Sequence, residues 1–587
     1  MNKAKIKAFV IAAAVAAAAA FYFRWSFSSP ELNYYIKVSS FPEKQVEVRV
    51  EAKNPSLAMK KMRFYRGSVN CRGLRVDGGE AGEKPAVLQK DGFVEVETRG
   101  GGGLNLTYKV KLGMMGKHGH QGGVYEDLFV FDGDSVLIFP EVFYTGSDTE
   151  IKKAFKRVSV SIEKSPGLET IVPEWGKKQL ENRWIKLTMV SPSWMDIYNL
   201  RQAGFALGKF EVKLGGEDGK PVVYADSGSG LKYAKEAIDG IESLYRYYSK
   251  LFKTRVPLRI VLLRKDPADG AYIMGGTGAD VICSTFDPSN ARDWQLLGHR
   301  MFHAFFDSTV KARGFHEPPQ LWFYEGLATY YENVSLDSLP DKIKADLKID
   351  VPAYFSNLFK RYLYMRLKDP YLLTIVPLRE AEIISSPGKT EFLHYTQAPL
   401  IIKAVEDYSY KNRGVSDAIL NCIMKNRNGS GINLTDILEE TTGDMAGAFF
   451  QGLFNSGDIL PLWYLAGENE DAAAVIRELN SFEHTMWSWF RLEIIDYPGD
   501  NLTGKGLYEL SGKAEKEGVY FAAPDIEKKV LETSPTVYHL LKQYAMRAKV
   551  CGVDYQDPLL RFKLLNDREN VLKWERYISG VLQSTVN

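Results

Sequence analysis

Charge bias is missing from this chain of 587 residues: 75 lysines and arginines stand against 73 aspartates and glutamates, a formal net of +2. That near-balance gives no reason to expect nucleic acid or an acidic partner. Cysteine is sparse. Cys71, Cys283, Cys422 and Cys551 lie far apart and match no zinc or redox spacing, so the chain is not disulfide-built. One or two disulfides and isolated buried thiols both stay open. The C-terminal portion, about 463–587, shows no internal repeat and no catalytic motif. A long membrane-spanning run is also lacking: the apolar stretch Ala8–Phe23 has sixteen residues, roughly 24 Å of helix against a hydrocarbon core of ~30 Å.

That stretch follows Lys3, Lys5 and Lys7. A basic flank before an apolar run is an export signal, and the positive-inside bias places the rest of the chain outside the cytoplasm. Trp25 and Phe27 extend the run if Arg24 snorkels to the interface. The expectation is a single N-terminal membrane anchor, with a cleaved signal peptide as the alternative because the alanine tract offers A-x-A sites. Apolar residues at 45% and charged residues at 25% are ordinary globular values. A chain of this length exceeds one hydrophobic core, so several domains are expected.

Residues 31–205 read as a β-rich N-terminal domain. Q-V-E-V-R-V-E-A (45–52) alternates apolar and polar positions, the period of a half-buried strand. F-V-E-V-E-T-R (93–99) and L-N-L-T-Y-K-V-K-L (104–112), separated by Gly100–Gly103, read as a hairpin. S-V-L-I-F (135–139) and V-S-V-S-I (158–162) read as further strands. Leu231–Phe252 carries apolar residues at helical spacing and precedes a strand at 256–263. From 290 to about 460 most segments read as helix, which places a mostly helical domain over 206–462. A helical C-terminal region over 463–587, with patches at Asp471–Leu479 and Pro535–Val550, completes a multidomain α+β chain.

The chemistry gathers in A-R-D-W-Q-L-L-G-H-R-M-F-H-A-F-F (291–306). Asn290 and Asp293 predict the helix start. His299 and His303 lie one turn apart on one helix face, so both imidazoles can meet one metal ion. P-P-Q-L-W-F-Y-E-G-L-A-T-Y-Y-E (318–332) then sets Glu325 in an aromatic run, where a carboxylate needs a partner. Two histidines from one helix and a glutamate from the next make a His₂Glu zinc site with its fourth position open.

His299-x-x-x-His303 followed by W-F-Y-E-G-L-A-T-Y-Y-E resembles the gluzincin zinc metallopeptidases, and within them the glycyl aminopeptidase family, relatives of aminopeptidase N. E-F-L-H-Y-T-Q-A-P-L-I-I (391–402) and N-L-T-D-I-L-E-E-T-T-G-D-M-A-G-A-F-F-Q-G-L (433–453) are similar to later segments of that family, so the resemblance covers about 35–460. It implies a thermolysin-like catalytic-type domain, zinc held by His299, His303 and Glu325, and Tyr395 as the hydrogen-bond donor to the reaction's oxyanion. It also implies recognition of a peptide or protein N-terminus near G-G-T-G-A-D (275–280), with Gly276 and Asp280 as the substrate-binding candidates.

The departures are chemical. The family's general-base glutamate follows the first histidine, and here Arg300 stands there. Arginine stays protonated and has no acceptor, whereas a positioned acid–base group contributes typically 10²–10⁴-fold. A guanidinium about 6 Å from a divalent ion repels it by roughly 5 kcal/mol at an effective dielectric near 20. Arg300 therefore either swings away or turns inward to pair with Glu325. The family's Lys-Gly after the tyrosine is Gln397-Ala398. Three readings stand: an envelope protein that binds peptide ends without hydrolysis; a working aminopeptidase whose base comes from elsewhere, with Glu332, Glu317 and His316 as candidates; and a scaffold whose function lies in its C-terminal helices. His118 and His120 in G-K-H-G-H-Q-G-G read as a mobile turn, and Ser227-Gly-Ser229-Gly lacks the G-x-S-x-G elbow.

Overall fold

The computed structural model describes most of residues 30–443, Phe454 and parts of 512–577. Residues 1–29, 54–60, 113–122, 228–234, 265–272, 369–374, 428–433, 444–453, 455–511, 553–568 and 578–587 are the longer stretches outside the described residues, with shorter ones such as 277–280 beside them. The expected anchor at Ala8–Phe23, the loop of His118 and His120, the patch Asp471–Leu479 and Asp280 fall in that excluded part. Among the described residues no helix is long and apolar enough to cross a membrane. Two compact units divide the chain: Met1–Lys311 with Ser338–Ile343, and Ala312–Asp337 with Lys344–Asn587.

In the first unit, alternation builds an eight-stranded sheet in the order Lys177–Glu181, Trp184–Val190, Arg157–Glu163, Glu31–Ser40, Gln45–Lys53, Leu104–Lys111, Cys71–Asp77 and Glu83–Pro85. Val46, Val48 and Val50 point into the core while Glu47 and Arg49 stay at the surface. Strands 45–53 and 157–163 form as their alternation predicts. Two buried tyrosines tie this sheet to the segment beneath it: Tyr34 donates to Ile138 O (3.1 Å) and Tyr108 to Val136 O (3.0 Å).

Two strand expectations fail here. Phe93–Glu97 and Leu104–Lys111 are not a hairpin: the first pairs with Lys61–Tyr65 and Val87–Leu88 in a separate four-stranded sheet, and the second with Gln45–Lys53 and Cys71–Asp77. Alternation marks a half-buried strand and carries no information about which neighbour it takes. Nor is 135–139 a strand. Asp132 caps a short helix, Gly133–Val136, by accepting from Ser135 N at 2.7 Å, and only Phe139–Pro140 is extended. Local side-chain bonding to the backbone outcompetes β-propensity.

A five-stranded sheet completes the first unit. Its strands are β1 (Phe210–Gly215), β2 (Val222–Asp226), β3 (Arg259–Leu263), β4 (Ile273–Gly275) and β5 (Val281–Thr285), in the spatial order β1-β2-β3-β5-β4. The three central strands are mutually parallel, with an antiparallel strand on each edge. Val261, Leu263, Val281 and Cys283 pack against Leu128, Val130 and Ala206 of a small neighbouring sheet. Helices α1 (Lys235–Leu251) and α2 (Ala291–Thr309) pack on one another through rings: Tyr245–Phe305 at 5.4 Å and Tyr248–Phe302 at 6.4 Å between centroids. Phe252, just past the end of α1, adds a contact to Phe302 at 5.6 Å.

Helices dominate the second unit: α3 (Leu321–Val334), α4 (Val351–Lys368), α5 (Ala398–Arg413), α6 (Ala418–Asn426), α7 (Leu434–Thr442) and α8 (Pro535–Cys551). Around α8, Val519, Phe521, Tyr538, Met546 and Trp574 form a small core of their own, and the buried ion pair Lys542–Glu527 (2.6 Å) lies beside it. A β-rich N-terminal region and a helical C-terminal half make the chain a multidomain α+β protein. Cys283 and Cys422 are free, buried thiols.

Phe305 is fully buried amid Tyr245, Tyr248 and Phe252. Phe305→Ala should cost about 3–5 kcal/mol of stability, read as a lower urea midpoint at unchanged slope.

Candidate metal centre

Helix α2 starts as its sequence predicts. Asn290 Oδ1 accepts from Arg292 N (3.0 Å), and the Asp293 carboxylate accepts from Asp287 N (2.8 Å) and Asn290 Nδ2 (3.2 Å). Trp294, Leu297, Met301, Phe302, Phe305 and Phe306 are all fully buried, which fixes the rotation of the helix about its axis. With that rotation set, His299 and His303 share one face, 9% and 2% exposed. Their Nε2 atoms lie 2.9 Å apart. Two imidazole lone pairs cannot face each other at that distance without a proton or a cation between them.

Arg300 follows His299 by about 100° around the helix and is half-buried. Its charge reaches Asp132, the buried cap at 133–136. Burial pushes the Asp132 carboxyl up to about 7; the Ser135 bonds and the Arg300 guanidinium pull it down, and neighbouring Asp134 pushes it up. Asp134 is itself held by Arg201 in a bidentate pair of 3.0 and 3.1 Å. Asp132 is not legible in the sequence as a partner of the motif: it lies 168 positions before Arg300, at the end of an ordinary apolar strand. Gly276, expected to bind substrate, sits at φ +78°, where a Cβ would meet Ile282 at 2.7 Å and the Arg300 carbonyl oxygen at 3.2 Å. Its place in the fold is thus a left-handed turn against the carbonyl of Arg300.

Helix α3 follows Pro318-Pro319, with Gln320 at its N-cap. Trp322, Phe323, Tyr324, Leu327 and Ala328 are buried, and Glu325 is half-buried between them in sequence. The glycine of the E-G pair has a packing reason: a Cβ on Gly326 would stand 2.5 Å from Ala398 Cβ, so helices α3 and α5 cross at backbone contact. Ala398 occupies the place of the glycine that the resemblance leads one to expect, and Gly326 gives it the room. Tyr395 lies on a π-helical turn, Leu393–Gln397. It is 42% exposed, not a core tyrosine, and its hydroxyl donates to Glu325 Oε2 at 3.2 Å.

The other base candidates have structural ties. Glu317 takes both Nε (3.0 Å) and Nη2 (2.8 Å) of Arg313. Glu332 is buried, with Asn333 Nδ2 at 3.5 Å, and the buried His316 ring packs 4.5 Å from that of Tyr324.

His299 and His303 belong to the first unit and Glu325 to the second. Two imidazoles and a carboxylate are a donor set of the zinc type.

The chain has an aminopeptidase N-like fold. A crystal structure of an aminopeptidase N family protein from Idiomarina loihiensis superposes with a TM-score of 0.55 at 13% identity, covering 74% of this chain and 77% of that one. At that identity the likeness is one of fold. No protein-family profile matches the sequence, and no curated protein matches it.

The folded protein holds the Asp132 proton up to about pH 7, whereas the unfolded chain releases it in the ordinary carboxylate range near 4. This group's contribution to stability therefore falls as pH rises between those values. Asp132→Asn, which keeps the capping oxygen, should flatten the loss of stability between about pH 4 and about pH 7, measured by urea unfolding at each pH. Gly326→Val should destabilise by about 1–3 kcal/mol through forced overpacking, read the same way.

Proposed function

We propose that this chain is a metallopeptidase-like protein that holds a zinc ion through His299, His303 and Glu325 and does not hydrolyse peptides by the usual water-activating route. The observation that carries this reading is a set of residues of zinc-ligand type, His299, His303 and Glu325, with an arginine in the place of the general base. Bound zinc would act as a Lewis acid towards a carbonyl and make a bound water more acidic. Removing that water's proton falls to the chain's own residues. Arg300 cannot take it, because a guanidinium carries no lone pair to accept one. Glu317 is already taken up by Arg313, which speaks against it as a substitute base. Tyr395 has a hydroxyl within reach of the site and, at 42% exposure, open to a ligand.

On this reading the protein binds a peptide or protein N-terminus. The Lys3/Lys5/Lys7 flank and the apolar run at 8–23 support a membrane-anchored protein whose body lies outside the cytoplasm. The fold likeness to an aminopeptidase N family protein and the donor set at His299, His303 and Glu325 support the metallopeptidase part.

Purified protein should bind zinc stoichiometrically by metal analysis and calorimetry, and His299→Ala, His303→Ala or Glu325→Gln should each abolish it. Aminoacyl amide substrates should stay intact. Arg300→Glu should raise turnover above background by about 10²-fold or more. Zinc-dependent turnover by the unmodified chain that His299→Ala removes would overturn the non-hydrolytic reading.

A further inference from the structure

Directly before Tyr395 stands His394, which has no part in the metal centre. Its side chain is 5% exposed and its Nε2 lies 2.5 Å from Oε1 of Glu380, whose side chain is fully buried. Glu380 belongs to a 3₁₀ segment, Pro377–Glu382, and its second oxygen, Oε2, is buried with no hydrogen-bond partner. A buried carboxylate with a single bond is costly to keep. It needs a reason.

The turn it anchors offers one. Between Leu393 and Gln397 the helix widens to a π-turn, with Ala398 N bonded to Leu393 O. Single π-turns have weaker internal bonding than α-helix and occur often at functional sites. Such a turn can relax to α-helical winding, which would rotate every side chain on it. His394 and Tyr395 leave the turn in different directions: His394 points inward to Glu380, and Tyr395 outward to Glu325. Gripping one fixes the other.

We infer that the His394–Glu380 pair is a positioning device that locks the π-turn in register and so holds the Tyr395 hydroxyl on Glu325. Glu380 and His394 touch no ligand; they act through Tyr395, and Tyr395 acts on the carboxylate it bonds. The inference rests on the proposed roles of Glu325 and Tyr395.

Two readouts on the full chain test it. In metal-free protein, nitration of Tyr395 by tetranitromethane, followed by peptide mass spectrometry, should speed up several-fold in His394→Ala and in Glu380→Gln, while other exposed tyrosines such as Tyr410 keep their rates. In zinc titration, His394→Ala should weaken binding by about tenfold, the usual effect of losing a partner behind a ligand. Tyr395→Phe should weaken it equally, and the double variant no further. His394→Gln, which keeps a donor near the Nε2 position, should restore much of both. An unchanged Tyr395 nitration rate in soluble, folded His394→Ala and Glu380→Gln overturns the inference, as does strict additivity with Tyr395→Phe. Failure of the metal reading looks different: the unmodified chain takes up no zinc, while the nitration arm still reports on the turn.

Discussion

The metal reading of this protein depends on two imidazole nitrogens held 2.9 Å apart on a buried helix. Helix geometry alone brings residues four apart onto one face; it does not choose which face. That choice is made by Trp294, Leu297, Met301, Phe302, Phe305 and Phe306, whose burial against α1 and β5 leaves His299 and His303 the remaining arc. The aromatic cluster with Tyr245, Tyr248 and Phe252 is therefore part of the site's construction. Polar rings set into a hydrophobic surface need satisfaction, and a shared cation supplies it for both at once.

Arg300 brings a positive charge to a helix that already presents a metal-type donor pair. A repulsion of several kcal/mol at an effective dielectric near 20 would oppose a divalent ion if nothing balanced it. Within the same unit Arg300 also acts on Asp132, whose carboxyl it pulls down slightly against the larger upward push of burial. Asp132 is placed by the cap it provides to 133–136, and Asp134 beside it is neutralised by Arg201. Arg300 and Asp132 thus belong to one charge arrangement with Asp134 and Arg201.

The helices are legible because their signals are local: the Asn290 cap, the apolar stripe of 291–306, the amphipathic pattern of 235–251, and the prolines before α3. The helix at 535–551 is readable in the same way. Strand pairing is not. Alternation in 93–97 and 104–111 identifies both strands and misassigns their partners, because partner choice is settled by distant segments competing for the same edge. At 135–139 a β-branched run loses to a capping aspartate three residues before Ser135. Asp132 and Glu380 escape a sequence reading since nothing near either one marks it as coupled to the motif.

Residue type and spacing alone supply the candidate inventory: two histidines one turn apart, a glutamate in a following aromatic helix, a tyrosine further on, and an arginine directly after the first histidine. Spacing along a helix is geometry, so these features need no tertiary information. How each group is held is a matter of the folded chain. Burial sets the Asp132 carboxyl against Arg300, the contact of Gly326 with Ala398 seats the helix of Glu325, and a buried His394–Glu380 bond grips the turn that presents Tyr395. These depend on desolvation and on contacts between residues far apart in the chain, which no local pattern encodes.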